Sequence, residues 1–160
     1  MAKQKRPSKT KRAKATKAKK FNQGIFTPKN PEKYIGTTPI EYRSSWELFF
    51  MNFIDTHPSV FQWASESIPI AYVNPFTNGM HTYYPDFFIR YMDKDGNIFS
   101  EMVEIKPMSQ TLMEKAKRRD DKLAVQINHA KWNAAIKWCN ERGYKFRVMT
   151  EHQLYYMGRK

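Results

Sequence analysis

Two runs of strand-forming residues, 83–92 and 97–106, flank the turn sequence Asp93-Lys94-Asp95-Gly96, and that order reads as an antiparallel hairpin. Any sheet this chain builds is organised around that pair. Side chains alternate along a strand, so Glu104 and Lys106 share one face while Val103 and Ile105 share the other. Where the partner strand places its own acid depends on the turn. A turn centred on Asp95 sets Asp86 opposite Glu104, with Cβ atoms about 5 Å apart. A two-residue turn at Asp95-Gly96 sets Asp86 opposite Ile105 instead.

Facing carboxylates repel, and burying them costs several kcal/mol unless something positive neutralises both. A divalent cation does so. Oxygen ligands without a cluster of His or Cys select Mg²⁺, with Mn²⁺ as substitute, over Zn²⁺. Such an ion suits phosphodiester hydrolysis, with Lys106 placed to orient water or offset charge on the phosphate. The competing reading is a strand face carrying alternate charges, since Glu-x-Lys is a common triplet. A calcium loop at Asp93 is excluded, because its glycine falls fourth instead of sixth. His57, His81, His129 and His152 lack ligand spacing and read as structural or surface residues.

Elsewhere the pattern predicts a helix over 44–57, where Trp46, Phe49, Phe50, Phe53 and Ile54 form one stripe, with Pro58 beyond it. A strand is expected over 65–73 and a turn-rich loop over 74–79. A long helix follows over 120–142, with Gly143 past its end, then a strand over 144–149 and a short helix for which Thr150 and Gln153 supply a cap. The order α-β-β-β-α-β predicts an α/β fold: a central mixed sheet flanked by helices.

The chain has 160 residues and a formal charge of +13, from 28 Lys and Arg against 15 Asp and Glu. The first twenty residues contain ten Lys or Arg and no acid, which leaves 18 basic against 15 acidic residues in the remainder. Residues 1–20 therefore read as a disordered basic tail, drawn to polyanions and to DNA above all, or acting as a solubilising arm. Residues 21–41, rich in Pro and Gly, read as a mostly extended lead-in, and 42–160 as the folded domain. The single Cys139 excludes an internal disulfide, and no apolar run is long enough to span a membrane.

Taken together, Glu47 in the first helix, Tyr84-Pro85-Asp86, and Val103-Glu104-Ile105-Lys106 resemble the PD-(D/E)XK nuclease superfamily over roughly residues 42–149. Within it, YRSSWE at 42–47, YPDF at 84–87 and EIKP at 104–107 look most like the head completion nucleases of tailed phages. They are also similar to junction-resolving endonucleases and to the end-cleaving subunit of certain transposases. The resemblance implies a restriction-endonuclease-like fold and a Mg²⁺-dependent deoxyribonuclease, with Asp86, Glu104 and Glu47 as metal ligands and Lys106 as the motif lysine. It further implies processing of packaged DNA during head completion and head-tail joining, in the host cytoplasm and with the virion as a second location, with phage head or neck proteins as partners. A homodimer is one way to cut both strands. A non-catalytic DNA-binding assembly protein with the same fold is the alternative.

Two assignments stay open on residues alone. Ser44-Ser45-Trp46-Glu47 matches the S-x-x-E capping box, in which Glu47 serves the helix and no chemistry. Arg43, Lys115, Lys117, Arg118, Arg119 and Lys122, with Gln126 and Lys131 as weaker candidates, are expected to hold DNA phosphates. The same run, interspersed with Glu114, Asp120 and Asp121, also reads as a solvated surface.

Overall fold

The structure, a computed structural model, describes residues 23–157; the basic run at 1–20 lies outside the described residues. Its centre is a four-stranded mixed sheet in the order β3-β6-β7-β8, formed by β3 (Val60–Ser65), β6 (Phe87–Met92), β7 (Ile98–Ile105) and β8 (Lys145–Met149). β3, β6 and β7 are antiparallel neighbours, and β8 joins β7 in parallel. Helices α1 (Ser45–Thr56) and α3 (Glu151–Met157) cover one face, and α2 (Arg119–Asn140) covers the other. This is the expected α/β architecture.

Both faces follow from strand alternation. Phe87, Ile89, Val103, Ile105 and Met149 pack with Phe50, Met51 and Ile54 of α1. Phe88 and Met102 pack with Trp132, Ala135 and Cys139 of α2. Three helix termini follow from local sequence signals. Ser44 caps α1, its hydroxyl accepting from the Glu47 amide at 3.1 Å. Gly143, at φ +69°, turns the chain after α2. Gln153 reaches back to the Thr150 amide at 2.8 Å, as the expected cap requires.

Three regions differ from expectation. The strand expected over 65–73 is split: Ser65 ends β3, while β4 (Ile70–Val73) leaves the central sheet and pairs with β5 (Met80–Tyr83) in a separate hairpin on α2. The first strand of the central sheet is β3, whose alternation is interrupted by a register shift between Val60 and Gln62. The lead-in is also more than an extended approach. Its strands β1 (Gly24–Phe26) and β2 (Ile40–Tyr42) pair, Phe26 and Ile40 enter the core, and buried Asp55 fixes the segment by accepting from the Lys29 amide at 2.8 Å. Among the described residues no helix is long and apolar enough to cross a membrane.

Candidate active site

The β6–β7 hairpin decides whether the acids meet. Lys94, Asp95 and Gly96 form a three-residue turn between Asp93 and Asn97. Gly96 takes φ +83°, a left-handed conformation that costs other residues strain. Asp93 stabilises the turn by accepting from the Asp95 and Asn97 amides at 2.9 and 2.8 Å. The resulting register pairs Met92 with Ile98 and Phe87 with Val103, and one step beyond the last pair the backbone donors of Asp86 and Ile105 bring Asp86 and Glu104 together. The turn is centred on Asp95, and the alternative that opposed Asp86 to Ile105 does not occur.

The two acids are held by exchange of backbone donors. The Asp86 amide donates to Glu104 Oε2 at 3.2 Å, and the Ile105 amide donates to Asp86 Oδ2 at 2.8 Å. Buried Tyr83 donates its hydroxyl to the same Glu104 Oε2 at 2.7 Å, and Lys106 Nζ lies 3.5 Å from Oε1. Burial, followed by the charge of Glu104, pushes the Asp86 carboxyl well above its ordinary range. Burial also raises Glu104, opposed by Lys106 and by the Tyr83 hydroxyl. Tyr83 is itself raised, by burial and then by the Glu104 charge, so it remains a donor.

Around the pair lies an open pocket of about 470 Å³, to which Arg43, Glu66, Lys106 and Lys131 also contribute. Lys131 reaches it from α2 with its ammonium 5.5 and 5.7 Å from the ring centres of Tyr83 and Tyr72. Burial and the neighbouring Lys106 charge lower the Lys131 pKa. Arg43 faces Glu66 at 2.5 Å, and Glu66 stands in left-handed backbone at φ +45°, its amide donating to the Asp86 carbonyl at 3.0 Å.

Glu47 sits at the start of α1, where the capping reading placed it. Its carboxylate turns back to the helix start, but accepts from the Arg43 amide at 2.8 Å, not that of Ser44. Burial raises its pKa, and it interacts electrostatically with Lys106 and Asp86. It comes from the helix on the other sheet face and does not line the pocket. Of the basic candidates, the structure brings Arg43 and Lys131 to the pocket. Lys115, Lys117, Arg118, Arg119, Lys122 and Gln126 lie exposed in and around the start of α2, outside the pocket lining.

The residues present suit a hard cation that keeps most of its waters. Among the described residues, no three His, Cys, Asp or Glu side chains converge into a ready cage. Two facing carboxylates remain, and only one oxygen of Asp86 accepts a hydrogen bond among the described residues. One or two carboxylates with solvent is the usual protein share of a Mg²⁺ site. Two lining residues were not legible in the sequence. Tyr83 stands in the Tyr-Tyr-Pro-Asp phrase, three positions before Asp86, a spacing that assigns it no partner. Glu66 carries no local signal at all.

Comparison with known proteins gives two concordant matches. A family model described as the TnsA-like endonuclease N terminal matches residues 57–151, which include Asp86, Glu104 and Lys106 but not Glu47. The head completion nuclease of Enterobacteria phage T4 is 34% identical over 148 residues, covering 86% of this chain and 96% of that protein.

Proposed function

The chain belongs to the TnsA-like endonuclease N-terminal family, with its PD-(D/E)XK-type nuclease fold, and on that premise we propose that it is a divalent-metal-dependent deoxyribonuclease. The observation that carries the reading is the opposed pair Asp86 and Glu104 beside Lys106 in an open pocket. Asp86 and Glu104 would hold the ion, Mg²⁺ with Mn²⁺ as substitute, and Glu47 would take part from beside the pocket, directly or through water. When bound, the ion supplies Lewis acidity to the phosphate and lowers the pKa of a water.

The remaining steps belong to side chains on the page. Tyr83 fixes one Glu104 oxygen and leaves the other toward Lys106. Lys106 and Lys131 offset charge that grows on the phosphate as it is attacked. Arg43 binds a neighbouring phosphate once Glu66 releases it. The exposed group Lys115, Lys117, Arg118, Arg119, Lys122 and Gln126 extends the DNA contact along the backbone, and the basic N-terminal run adds salt-sensitive affinity.

The T4 relative's name, head completion nuclease, supports a setting in the completion of phage heads; on this reading the substrate is DNA, the partners are head or neck proteins, and the place is the infected host cell. Nicking of supercoiled DNA tests the chemistry. We expect cutting with Mg²⁺ or Mn²⁺ that stops with EDTA. A Glu104→Ala or Lys106→Ala protein that cuts as fast as wild type would sink the site assignment. The dense basic run favours one competing reading, a DNA-binding assembly protein without catalysis. That reading requires binding lost on deletion of residues 1–20 and no cleavage with any divalent ion.

A further inference from the structure

Between Glu66 and Asp86 the chain contains no Lys, Arg, Asp or Glu, although charged residues make up 27% of the whole. This uncharged stretch holds the β4–β5 hairpin. Its inner face is anchored, with Ile70, Tyr72 and Tyr83 packed in the core cluster that includes Trp132 of α2. Its outer face is apolar and open. Val73 and Met80 are directly paired and 51% and 70% exposed, and Phe76 at the tip is 50% exposed. The outer face cannot turn inward without unburying both tyrosines.

The tip is shaped to hold Phe76 outward. Asn74 Oδ1 accepts from the Phe76 and Thr77 amides at 2.8 and 3.2 Å, and Asn78 closes the turn with φ +54°. At its other end the hairpin runs into the candidate active site, where Thr82, Tyr83 and Tyr84 line the pocket. Tyr84 is itself 50% exposed. A hairpin that starts in the pocket and projects from it is placed to meet DNA bound there.

A surface without charge gains nothing from phosphates; apolar and aromatic side chains on DNA act on bases, by stacking or by wedging between steps. We propose that the β4–β5 hairpin is a base-contacting wedge, so that the substrate is DNA whose bases are unstacked a few base pairs from the cut. The proposal rests on the nuclease reading for the position of the phosphate. From Tyr84 to Met80 the strand spans about 13 Å at ~3.3 Å per residue. Phe76 lies beyond Met80 at the tip, so at ~3.4 Å per base step the disturbed bases lie at least about four base pairs from the cut.

The test uses the full chain carrying Lys106→Ala, with duplexes bearing 2-aminopurine at successive positions from one end. The fluorescence of this base rises when it unstacks. We expect a several-fold rise at one or two positions, abolished by Phe76→Ala, while DNA affinity by anisotropy changes less than about threefold. Phe76→Trp should restore the rise and show quenching of its own emission. In the otherwise wild-type chain, Phe76→Ala should slow cleavage of paired duplex about tenfold, and a mismatched bubble about four base pairs or more from the cut should restore it.

No rise at saturating protein, or an equal rise with Phe76→Ala, overturns the proposal. A hairpin that docks a protein partner would give that result. The two readings fail separately. Metal-dependent cleavage with a silent 2-aminopurine signal removes the wedge alone, whereas unstacking without cleavage by the wild-type chain removes the nuclease reading and keeps the wedge.

Discussion

Strand β7 carries two buried glutamates three positions apart, and they face opposite sides of the sheet. Glu101 lies on the α1 side, where Arg147 Nε reaches its Oε1 at 2.6 Å and the Tyr91 hydroxyl donates to its Oε2 at 2.9 Å. Glu104 lies on the α2 side with a similar set of partners, a tyrosine and a cation, but its lysine stands at 3.5 Å and a second acid opposes it. Opposite Glu101 is Ile89. The difference separates structure from chemistry: a buried acid closed by one guanidinium is satisfied, while two acids sharing one lysine retain a demand for positive charge. A buried glutamate with a tyrosine is therefore not itself a site.

The largest effects should divide the two glutamates. Glu104→Gln or Lys106→Ala should lower metal-dependent nicking about 10³-fold, because each removes charge from the reacting centre. Glu101→Gln should leave nicking within about threefold and cost about 1–2 kcal/mol in urea unfolding, since Arg147 is exposed and recovers water. Equal losses of nicking from both substitutions would erase the distinction.

The tyrosines give a sharper version with a smaller effect. Tyr83→Phe removes the donor that fixes Glu104, and partners of this kind are worth about 10–100-fold in metal affinity or activity. Mn²⁺ binding measured by calorimetry should weaken in that range. Tyr91→Phe, although it deletes the corresponding hydroxyl beside Glu101, should leave Mn²⁺ binding unchanged. If both weaken it alike, Tyr83 acts through packing and does not position the carboxylate.

What the sequence made legible follows the same division between local and tertiary information. The stripe of α1 and the hairpin around Gly96 are set by near neighbours, and counting residues recovers them; counting left two registers for Asp86, and the three-residue turn selects the one beside Glu104. β3 escaped because the shift between Val60 and Gln62 breaks its alternation. The strand character of 70–73 was readable, but its partner was not, since β4 pairs with β5 instead of the central sheet. Lys131 reads from sequence only as a weaker phosphate contact, for the rings of Tyr72 and Tyr83 beside it belong to that unseen hairpin. Glu66 depends on how the chain turns after β3, which no local pattern states.

The smallest predicted effect has opposite signs at the two positions. Burial and the Glu104 charge raise Asp86 above the value an unfolded chain gives it, so the folded protein holds a proton that the unfolded one releases. Stability of the metal-free protein then falls as pH rises above the ordinary carboxylate range, and levels off only past the raised value. Asp86→Asn removes that penalty while its amide oxygen still accepts from Ile105. At pH 7.5 in EDTA it should raise the melting temperature by about 2–4 °C, which is what ~1 kcal/mol amounts to in a domain of this size. The gain should shrink toward zero as the pH approaches 4. Glu101→Gln should lower the melting temperature under the same conditions, because there the acid has its cation already. A fall in both would mean that Asp86, like Glu101, is satisfied without a bound ion.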